Sequence, residues 1–296
     1  MNRMTAKDFD QELLELYDFY AHGIITKREF LNKAGKYAVG GVTAMALLDM
    51  LSPNYALAEQ VSFTDPDIVA DYVLYSSPNG NGDVRAYQVR PAGTEGTPIP
   101  AVLVVHENRG LNPYIEDVAR RVAKAGFLAL APDGLTSVGG YPGNDADGGK
   151  LQKTVDSTKL MNDFFAGAEH LLKRNDVSGK IGCVGFCYGG GVCNAIAVAY
   201  PEVAASVPFY GRPAAAEDVG RIKASLLLHY AGLDDRVNAG WPGYETALKA
   251  AGTEYAAYIY DGVNHGFHND STPRYDQAAA ETAWGRTIDF FGEKLL

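Results

Sequence analysis

Short apolar runs alternate with amphipathic segments along most of the chain. The run at 101–106 (AVLVVH) is continuous, which is typical of a strand buried inside a parallel sheet. Residues 113–124 are typical of a helix, with the acidic Glu116 and Asp117 in the first turn. The predicted strands are 84–90, 101–106, 127–131, 180–186, 203–210, 224–230 and 255–260, and the predicted helices are 113–124, 159–174, 188–199, 241–251 and 277–294. Residues 134–157 contain six glycines and are predicted as a long loop.

The alternation of strands and helices predicts the fold class. Strands followed by helices along the chain form a mostly parallel sheet with helices on both faces, so we expect an α/β domain over 59–296. In such sheets the functional sites lie at the carboxyl ends of the strands. Polar residues that follow the predicted strands are therefore the first candidates for chemistry.

The first 58 residues have a different pattern. Apolar side chains at helical spacing predict an amphipathic helix over 6–21. A basic segment at 27–33, a weakly apolar stretch at 37–48 and the small-residue site Ala56-Leu57-Ala58 then follow, in the order typical of an export signal. The Lys27-Arg28 pair before Phe30 is similar to a twin-arginine signal, which would place the protein in the periplasm.

A second interpretation of residues 1–58 stays open. Residues 6–21 and 27–51 could form a retained helical hairpin that packs on the body or on a second subunit of a homodimer, in a cytoplasmic protein. A stable membrane anchor is not expected under either interpretation, because the apolar run is short and carries Asp49. We therefore divide the chain into an extension or export signal at 1–58 and an α/β domain at 59–296.

Composition excludes several classes of protein. The chain has 296 residues, of which 47% are hydrophobic and 21% charged, and these values are ordinary for a globular protein rather than a disordered one. The formal net charge is −10, whereas a protein that binds duplex nucleic acid normally carries an excess of basic residues. Three cysteines cannot form a disulfide framework, so at least one thiol is free.

The strongest motif is Gly185-Phe186-Cys187-Tyr188-Gly189, which matches the pattern glycine-x-nucleophile-x-glycine. It lies between the predicted strand 180–186 and the predicted helix 188–199, where a nucleophile sits on a sharp turn that leaves no room for side chains beside it. The start of the helix points its amides and its dipole at the nucleophile, which favours a thiolate and a developing oxyanion. The motif predicts that Cys187 is a nucleophile.

An acid and a histidine follow the nucleophile in the expected chain order. Asp234 comes directly after the predicted strand 224–230, with Asp235 as the alternative acid. His265 comes after strand 255–260, with His268 as the alternative base. An imidazole there would take the thiol proton and later deliver it, and the aspartate would fix its tautomer.

The remaining histidines and cysteines are expected to have structural roles. We predict that His106 and His229 are buried, that His22 and His170 lie on helix surfaces, and that Cys183 and Cys193 are inert buried thiols. No metal is expected, since the spacing of the residues that could form a site fits no zinc pattern; those residues are Asp261, His265, His268 and Asp270.

The chain resembles the dienelactone hydrolase family, and in particular its YghX-like branch, over roughly residues 70–296. The resemblance rests on GFCYGG at the elbow, GLDDRV, NHGFH and VVHENRGLNPYIEDVARRVAKAGFLALAPDG. It implies an α/β-hydrolase fold and cofactor-free cleavage of a small-molecule carboxylic ester or lactone through a covalent thioester. It also implies that Glu107 contacts the Cys187 thiol at rest, and that the backbone amides of Asn108 and Tyr188 form the oxyanion hole.

One departure from the family concerns substrate charge. Members specific for dienelactone hold the substrate carboxylate with arginines, one of them four residues after the catalytic histidine, where this chain has Asn269. Arg109 and Arg212 remain candidates for binding an anion. Two other functions stay open, a non-catalytic binding or assembly protein on the same fold and an acyl transferase that uses the same residues.

Overall fold

Eight strands form one sheet in the computed structural model, which describes residues 4–296; residues 1–3 of the predicted extension lie outside the described part. The strands are β1 (Ile68–Ser77), β2 (Gly82–Pro91), β3 (Ile99–Val105), β4 (Leu128–Pro132), β5 (Val177–Phe186), β6 (Val203–Phe209), β7 (Ser225–Ala231) and β8 (Tyr255–Tyr260). Their order is β1-β2-β4-β3-β5-β6-β7-β8. β2 pairs antiparallel with β1 and β4, and the other neighbours are parallel. The predicted mostly parallel α/β sheet is confirmed.

Helices cover both faces of this sheet. The helices are α1 (Gln11–Ala21), α2 (Lys27–Ala34), α3 (Ala44–Leu51), α4 (Pro113–Lys124), α5 (Asp145–Gln152), α6 (Ser157–Leu172), α7 (Tyr188–Ala199), α8 (Asp235–Asn238), α9 (Trp241–Ala251) and α10 (Gln277–Leu295). α4 and α10 pack their apolar side chains on one face, and α6, α7 and α9 pack on the other. The two apolar cores therefore lie on either side of β3, β5 and β6.

The N-terminal extension is folded and rests on the body of its own chain. α1, α2 and α3 enclose a separate apolar core that includes Leu13, Tyr17, Phe30 and Leu48. The second arm of the possible hairpin, residues 27–51, is divided into α2 and α3, because the chain turns through Gly40 and Gly41, whose φ angles are +64° and +86°. No helix within residues 4–296 is long and apolar enough to cross a membrane.

Two elements differ from the prediction. β1 precedes the first predicted strand; half of its residues are exposed, and their burial does not alternate along the strand. The predicted loop at 134–157 contains α5, in which Gly148 lies against the turn after β3: a Cβ at Gly148 would come within 2.3 Å of the carbonyl oxygen of Arg109. Packing therefore places a helix where glycine lowers the local helix propensity.

Candidate active site

Cys187 lies at the turn between β5 and α7. Its φ of 56° and ψ of −112° are unusual for a residue with a side chain. Both flanking glycines are required, because a Cβ at Gly185 would lie 2.2 Å from the carbonyl oxygen of Gly189, and one at Gly189 would lie 2.3 Å from that of Val105. The side chain is held at the first turn of α7, where unpaired amides and the helix dipole favour negative charge.

Asp234 and His265 meet at the same edge of the sheet. Asp234 follows β7 and His265 follows β8, and Nδ1 of His265 lies 2.5 Å from Oδ2 of Asp234. The second carboxylate oxygen caps α8 by accepting from the amide of Val237 at 3.2 Å. Burial opposes the charge of Asp234, but the hydrogen bond and charge of His265, together with the charge of Arg236, outweigh it and lower the pKa of the carboxyl.

This hydrogen bond fixes the tautomer of His265. Since the carboxylate can only accept, Nδ1 carries the proton and Nε2 of the neutral ring carries the lone pair. Nε2 is buried and has no hydrogen-bond partner among residues 4–296. A ring nitrogen of His265 lies within 4.8 Å of the Cys187 Sγ, so the imidazole is close to the candidate nucleophile.

The alternative acid and base have other surroundings. Asp235 is exposed at the start of α8. His268 is buried, its Nδ1 lies 2.7 Å from the hydroxyl of Tyr114, and burial holds its pKa well below the usual range. Asp270 accepts from Arg121 at 2.6 Å. Of the competing pairs, the structure brings Asp234 and His265 together beside Cys187.

The residues after β3 also lie near the site, since Glu107 contacts the loop that carries His265. Glu107 is buried and its Oε2 accepts from the side-chain amide of Asn269 at 3.0 Å. Glu107 is therefore hydrogen-bonded to Asn269, whereas the predicted partner was the Cys187 thiol. Asn108 follows Glu107 in the chain. Tyr188 is the first residue of α7, so its backbone amide is one of the first-turn amides that do not donate within the helix.

The two candidate anion-binding arginines lie in different places. Arg109 is buried and pairs with Asp145 at 2.9 Å, so its charge is already compensated. Arg212 is exposed, and its backbone oxygen accepts from Asn194. Arg274 is 2% exposed and pairs with Asp18 of the extension at 2.8 Å.

The sequence analysis missed one side chain of this site, His22. Its Nε2 lies 3.2 Å from the Cys187 Sγ, and its ring centre lies 4.8 Å from that of His265. The predicted surface position of His22 is therefore wrong, since the side chain is only 13% exposed. The Asp18–His22 pair has i, i+4 spacing on one helix face, but nothing in the sequence shows that this face meets Cys187.

A cavity of about 980 Å³ lies between the extension and the body. Its wall includes His22 and the two residues of the predicted oxyanion hole, Asn108 and Tyr188. Aromatic and aliphatic side chains contribute much of the remaining surface, among them Tyr17 and Leu48. A small, largely apolar molecule could enter here and reach the elbow.

Cys187, His22 and His265 also form a cluster that could hold a metal ion. Their ligand atoms lie within 4.8 Å of one another, and thiolate and imidazole are ligand types that zinc prefers. These are not the residues considered from the sequence, apart from His265. The direct hydrogen bond between His22 and Cys187 pairs two of the three ligand atoms with each other.

Comparisons with known proteins cover the body and the extension separately. The model of the dienelactone hydrolase family matches residues 84–295, and a model described as YqhI-like matches residues 1–38. The putative hydrolase fragment YghX of Escherichia coli strain K12 is 71% identical over 117 residues, which are 40% of this chain and 99% of the fragment. A putative carboxymethylenebutenolidase of Escherichia coli O157:H7 is 31% identical over 256 residues, with 80% of this chain and 93% of the relative covered.

Solved structures of other proteins share the fold of this chain. A putative dienelactone hydrolase from Klebsiella pneumoniae superposes with a TM-score of 0.66 at 24% identity, over 76% of this chain and 98% of that one. A dienelactone hydrolase-like promiscuous phosphotriesterase from metagenomic libraries has a TM-score of 0.66 at 25% identity, over 78% and 100% of the two chains. The similarity extends over most of this chain and nearly all of each solved structure.

Proposed function

Since the chain belongs to the dienelactone hydrolase family and is a carboxylic-ester hydrolase, we propose that it cleaves a small ester or lactone through a Cys-His-Asp triad and a covalent thioester. The observation that carries this proposal is the arrangement at the sheet edge. Cys187 lies on a strained turn, and a ring nitrogen of His265, whose ring is oriented by Asp234, lies within 4.8 Å of its sulfur.

The first half-reaction forms the thioester. The sulfur of Cys187 attacks the carbonyl carbon, the carbonyl electron pair moves onto oxygen, and the thiol proton passes to an imidazole. The backbone amides of Asn108 and Tyr188 hold the resulting oxyanion. When the carbonyl re-forms, the bond to the leaving oxygen breaks and that oxygen takes the proton.

The second half-reaction releases the acid. His265 takes a proton from water at Nε2, and the hydroxide adds to the thioester carbonyl. Collapse of that adduct breaks the carbon–sulfur bond, and the proton on Nε2 of His265 passes to the departing sulfur, which restores the thiol and the neutral imidazole. Asp234 keeps the imidazole in the tautomer that can accept this proton and stabilises its charged form.

Glu107 connects two loops of the site. Its carboxylate accepts from Asn269, which lies four residues after His265, and so joins the loop after β8 to the turn after β3. We propose that Glu107 is a positioning residue at rest, and that it approaches the thiol only when the contact between His22 and Cys187 opens.

The test is a burst experiment with a panel of activated esters and lactones. Intact mass is read from milliseconds to seconds for the wild type, Cys187→Ala and Cys187→Ser, with Cys193→Ala as the control, because Cys193 is buried in α7 away from the cavity. We expect an acyl adduct on Cys187 that decays with turnover in the wild type and in the control, and no thioester in either Cys187 variant.

Two results would contradict the proposal. Full activity of Cys187→Ala against every ester that the wild type cleaves would exclude Cys187 as the nucleophile. A wild type with no adduct and no turnover over the whole panel would favour a binding protein. Transfer of the acyl group to an added alcohol or amine in preference to water would instead assign the site to an acyl transferase.

A further inference from the structure

We propose that His22 is a second catalytic base, supplied by the N-terminal extension, which takes the Cys187 proton and delivers it to the leaving group. This inference rests on the proposed function and divides its proton transfers between two imidazoles. His22 serves formation of the thioester and His265 serves its hydrolysis. The extension is then part of the active site rather than a removable leader.

The geometry of His22 matches that of a base on the thiol. Its Nδ1 lies 2.8 Å from the backbone oxygen of Asp18 and 3.2 Å from the carboxylate of the same residue. Both partners can only accept, so Nδ1 carries the proton and Nε2 carries the lone pair. That lone pair meets the Cys187 sulfur at 3.2 Å, whereas Nε2 of His265 has no hydrogen-bond partner among residues 4–296.

The charged groups around His22 favour its protonated form. Burial opposes a charge on the ring, but Cys187 and Asp18 outweigh it and raise the pKa of His22 above its usual value. Two neighbouring groups oppose a positive charge on His22. The guanidinium of Arg236 in α8 lies 3.4 Å from its Nε2, and the ring of His265 faces the His22 ring edge-on and opposes the charge when it is itself protonated. The balance favours a proton on His22, which is the state that a donor to the leaving group requires.

Contacts with the body hold His22 in place. Asp18, which orients the ring, is paired with the buried Arg274 at 2.8 Å. One turn further on, the carbonyl of Ala21 accepts from the side chain of Asn108 at 3.1 Å. At the other end of α1, Gln11 donates to Asn264 at 2.7 Å. Asn264 directly precedes His265 in the sequence, and Asn108 is itself a residue of the predicted oxyanion hole. The extension is therefore attached to the loops that carry the candidate catalytic residues.

The position of the cavity indicates which step His22 serves. His22, Asn108 and Tyr188 line it, whereas neither Cys187 nor His265 is among the lining residues within 4–296. A substrate whose carbonyl oxygen faces the amides of Asn108 and Tyr188 therefore extends its remaining atoms past His22. As the bond to the leaving oxygen breaks, the proton on Nε2 of His22 passes to that oxygen, and His22 returns to its neutral form.

The experiment separates the two half-reactions in the full-length chain. The burst rate and the decay rate of the acyl adduct are measured for His22→Ala, His22→Gln and His265→Ala. The matched control is His170→Ala, since His170 lies on α6, stacked on Tyr75 and away from the cavity. We expect His22→Ala and His22→Gln to slow the burst on the order of 100-fold and to leave the decay within about twofold of wild type.

Two further readouts distinguish a base from a packing residue. Added imidazole should restore part of the burst rate of His22→Ala, because the cavity reaches the space that the ring leaves. Iodoacetamide should alkylate Cys187 of His22→Ala more slowly than Cys187 of the wild type at neutral pH, because the imidazole that takes the thiol proton is gone. Asp18→Asn should shift alkylation in the same direction, whereas Glu15→Gln, on the exposed face of α1, should not.

The outcomes are separable from those of the proposed function. An acyl adduct that forms at the wild-type rate in His22→Ala would overturn the role of His22 and leave the triad intact. A faster burst would also overturn it, since the extension would then obstruct the site. If His265→Ala slowed both half-reactions equally and His22→Ala slowed neither, both proton transfers would be assigned to His265. A wild type without any adduct would contradict the proposed function itself.

Discussion

At the scale of single residues, the site is built from two carboxylate–imidazole pairs directed at one sulfur. Asp234 orients His265 from the body, and Asp18 orients His22 from the extension. In both pairs the carboxylate fixes the proton on Nδ1 and turns the lone pair of Nε2 inward. The two aspartates have lowered pKa values because the charges around them outweigh their burial, so both are ionised at neutral pH.

Asp234 and Asp235 offer a matched test of this arrangement. Asp234→Asn should lower kcat by about 10²–10⁴-fold, because an amide that donates to Nδ1 favours the wrong tautomer of His265. Asp235→Asn should change kcat by less than about twofold, since that side chain is exposed beside α8. Steady-state kinetics of the two variants measure the difference, and equal effects would contradict the assignment of Asp234.

The pH dependence of the free energy of unfolding gives a second test of Asp234. The folded-state pKa of Asp234 lies below its usual value of about 3.9. Its ionised form therefore stabilises the fold above that pH, and this contribution is lost as the pH falls through the folded-state pKa. Urea unfolding should show that the stability difference between wild type and Asp234→Asn shrinks below about pH 4.

The sequence can indicate which residues meet wherever backbone topology alone decides their positions. Cys187, Asp234 and His265 follow β5, β7 and β8, and parallel strands bring their carboxyl ends to one edge whatever the intervening sequence. His22 could not be found in this way, because 165 residues separate it from Cys187 and its position depends on how one folded surface meets another. Arg274 is a second case, since its partner Asp18 belongs to the extension.

At the scale of elements, the differences from the sequence have a common cause in tertiary packing. β1 is an edge strand with few buried positions, so its pairing with β2 rather than a hydrophobic pattern makes it a strand. α5 is a helix in spite of Gly148 and Gly149, because the small residue lets the helix approach the turn that carries Arg109. Neither effect is visible from local propensity.

The extension depends on its own small core, and Phe30 is its central side chain. Phe30 is fully buried among α1, α2 and α3, so Phe30→Ala should cost about 3–5 kcal/mol of the extension's stability. Hydrogen exchange should then speed up over residues 11–51 and stay unchanged in β3 and β5, and the burst rate should fall as it does for His22→Ala.

Phe19→Ala is the control for that substitution. Phe19 lies on α1 but is 41% exposed, so its removal leaves no cavity and should alter neither exchange nor burst rate appreciably. If Phe30→Ala loosened the extension without slowing the burst, the docking of α1 would be irrelevant to thioester formation. If the exchange of β5 rose equally, the extension and the body would unfold as one unit.

At the scale of the whole molecule, charge predicts which esters the enzyme prefers. The chain carries a formal net charge of −10, so its long-range field repels anions. The arginines near the site do not offset this, because Arg109 pairs with Asp145, and Arg274 and Arg236 both pair with Asp18. A substrate carboxylate would have to displace one of these internal partners.

We therefore expect esters with an uncharged acyl group to react faster than matched esters with a free carboxylate, by about tenfold in kcat/KM at low ionic strength. Added salt should raise kcat/KM for the anionic ester, because it screens the repulsion, and leave that of its methyl-capped analogue unchanged. Asp18→Asn should narrow the gap between the two esters, since it frees Arg274 to pair with a substrate carboxylate, whatever it does to the overall rate. A preference for the anionic ester in the wild type, weakening with salt, would show instead that an unpaired cation such as Arg212 reaches the bound substrate.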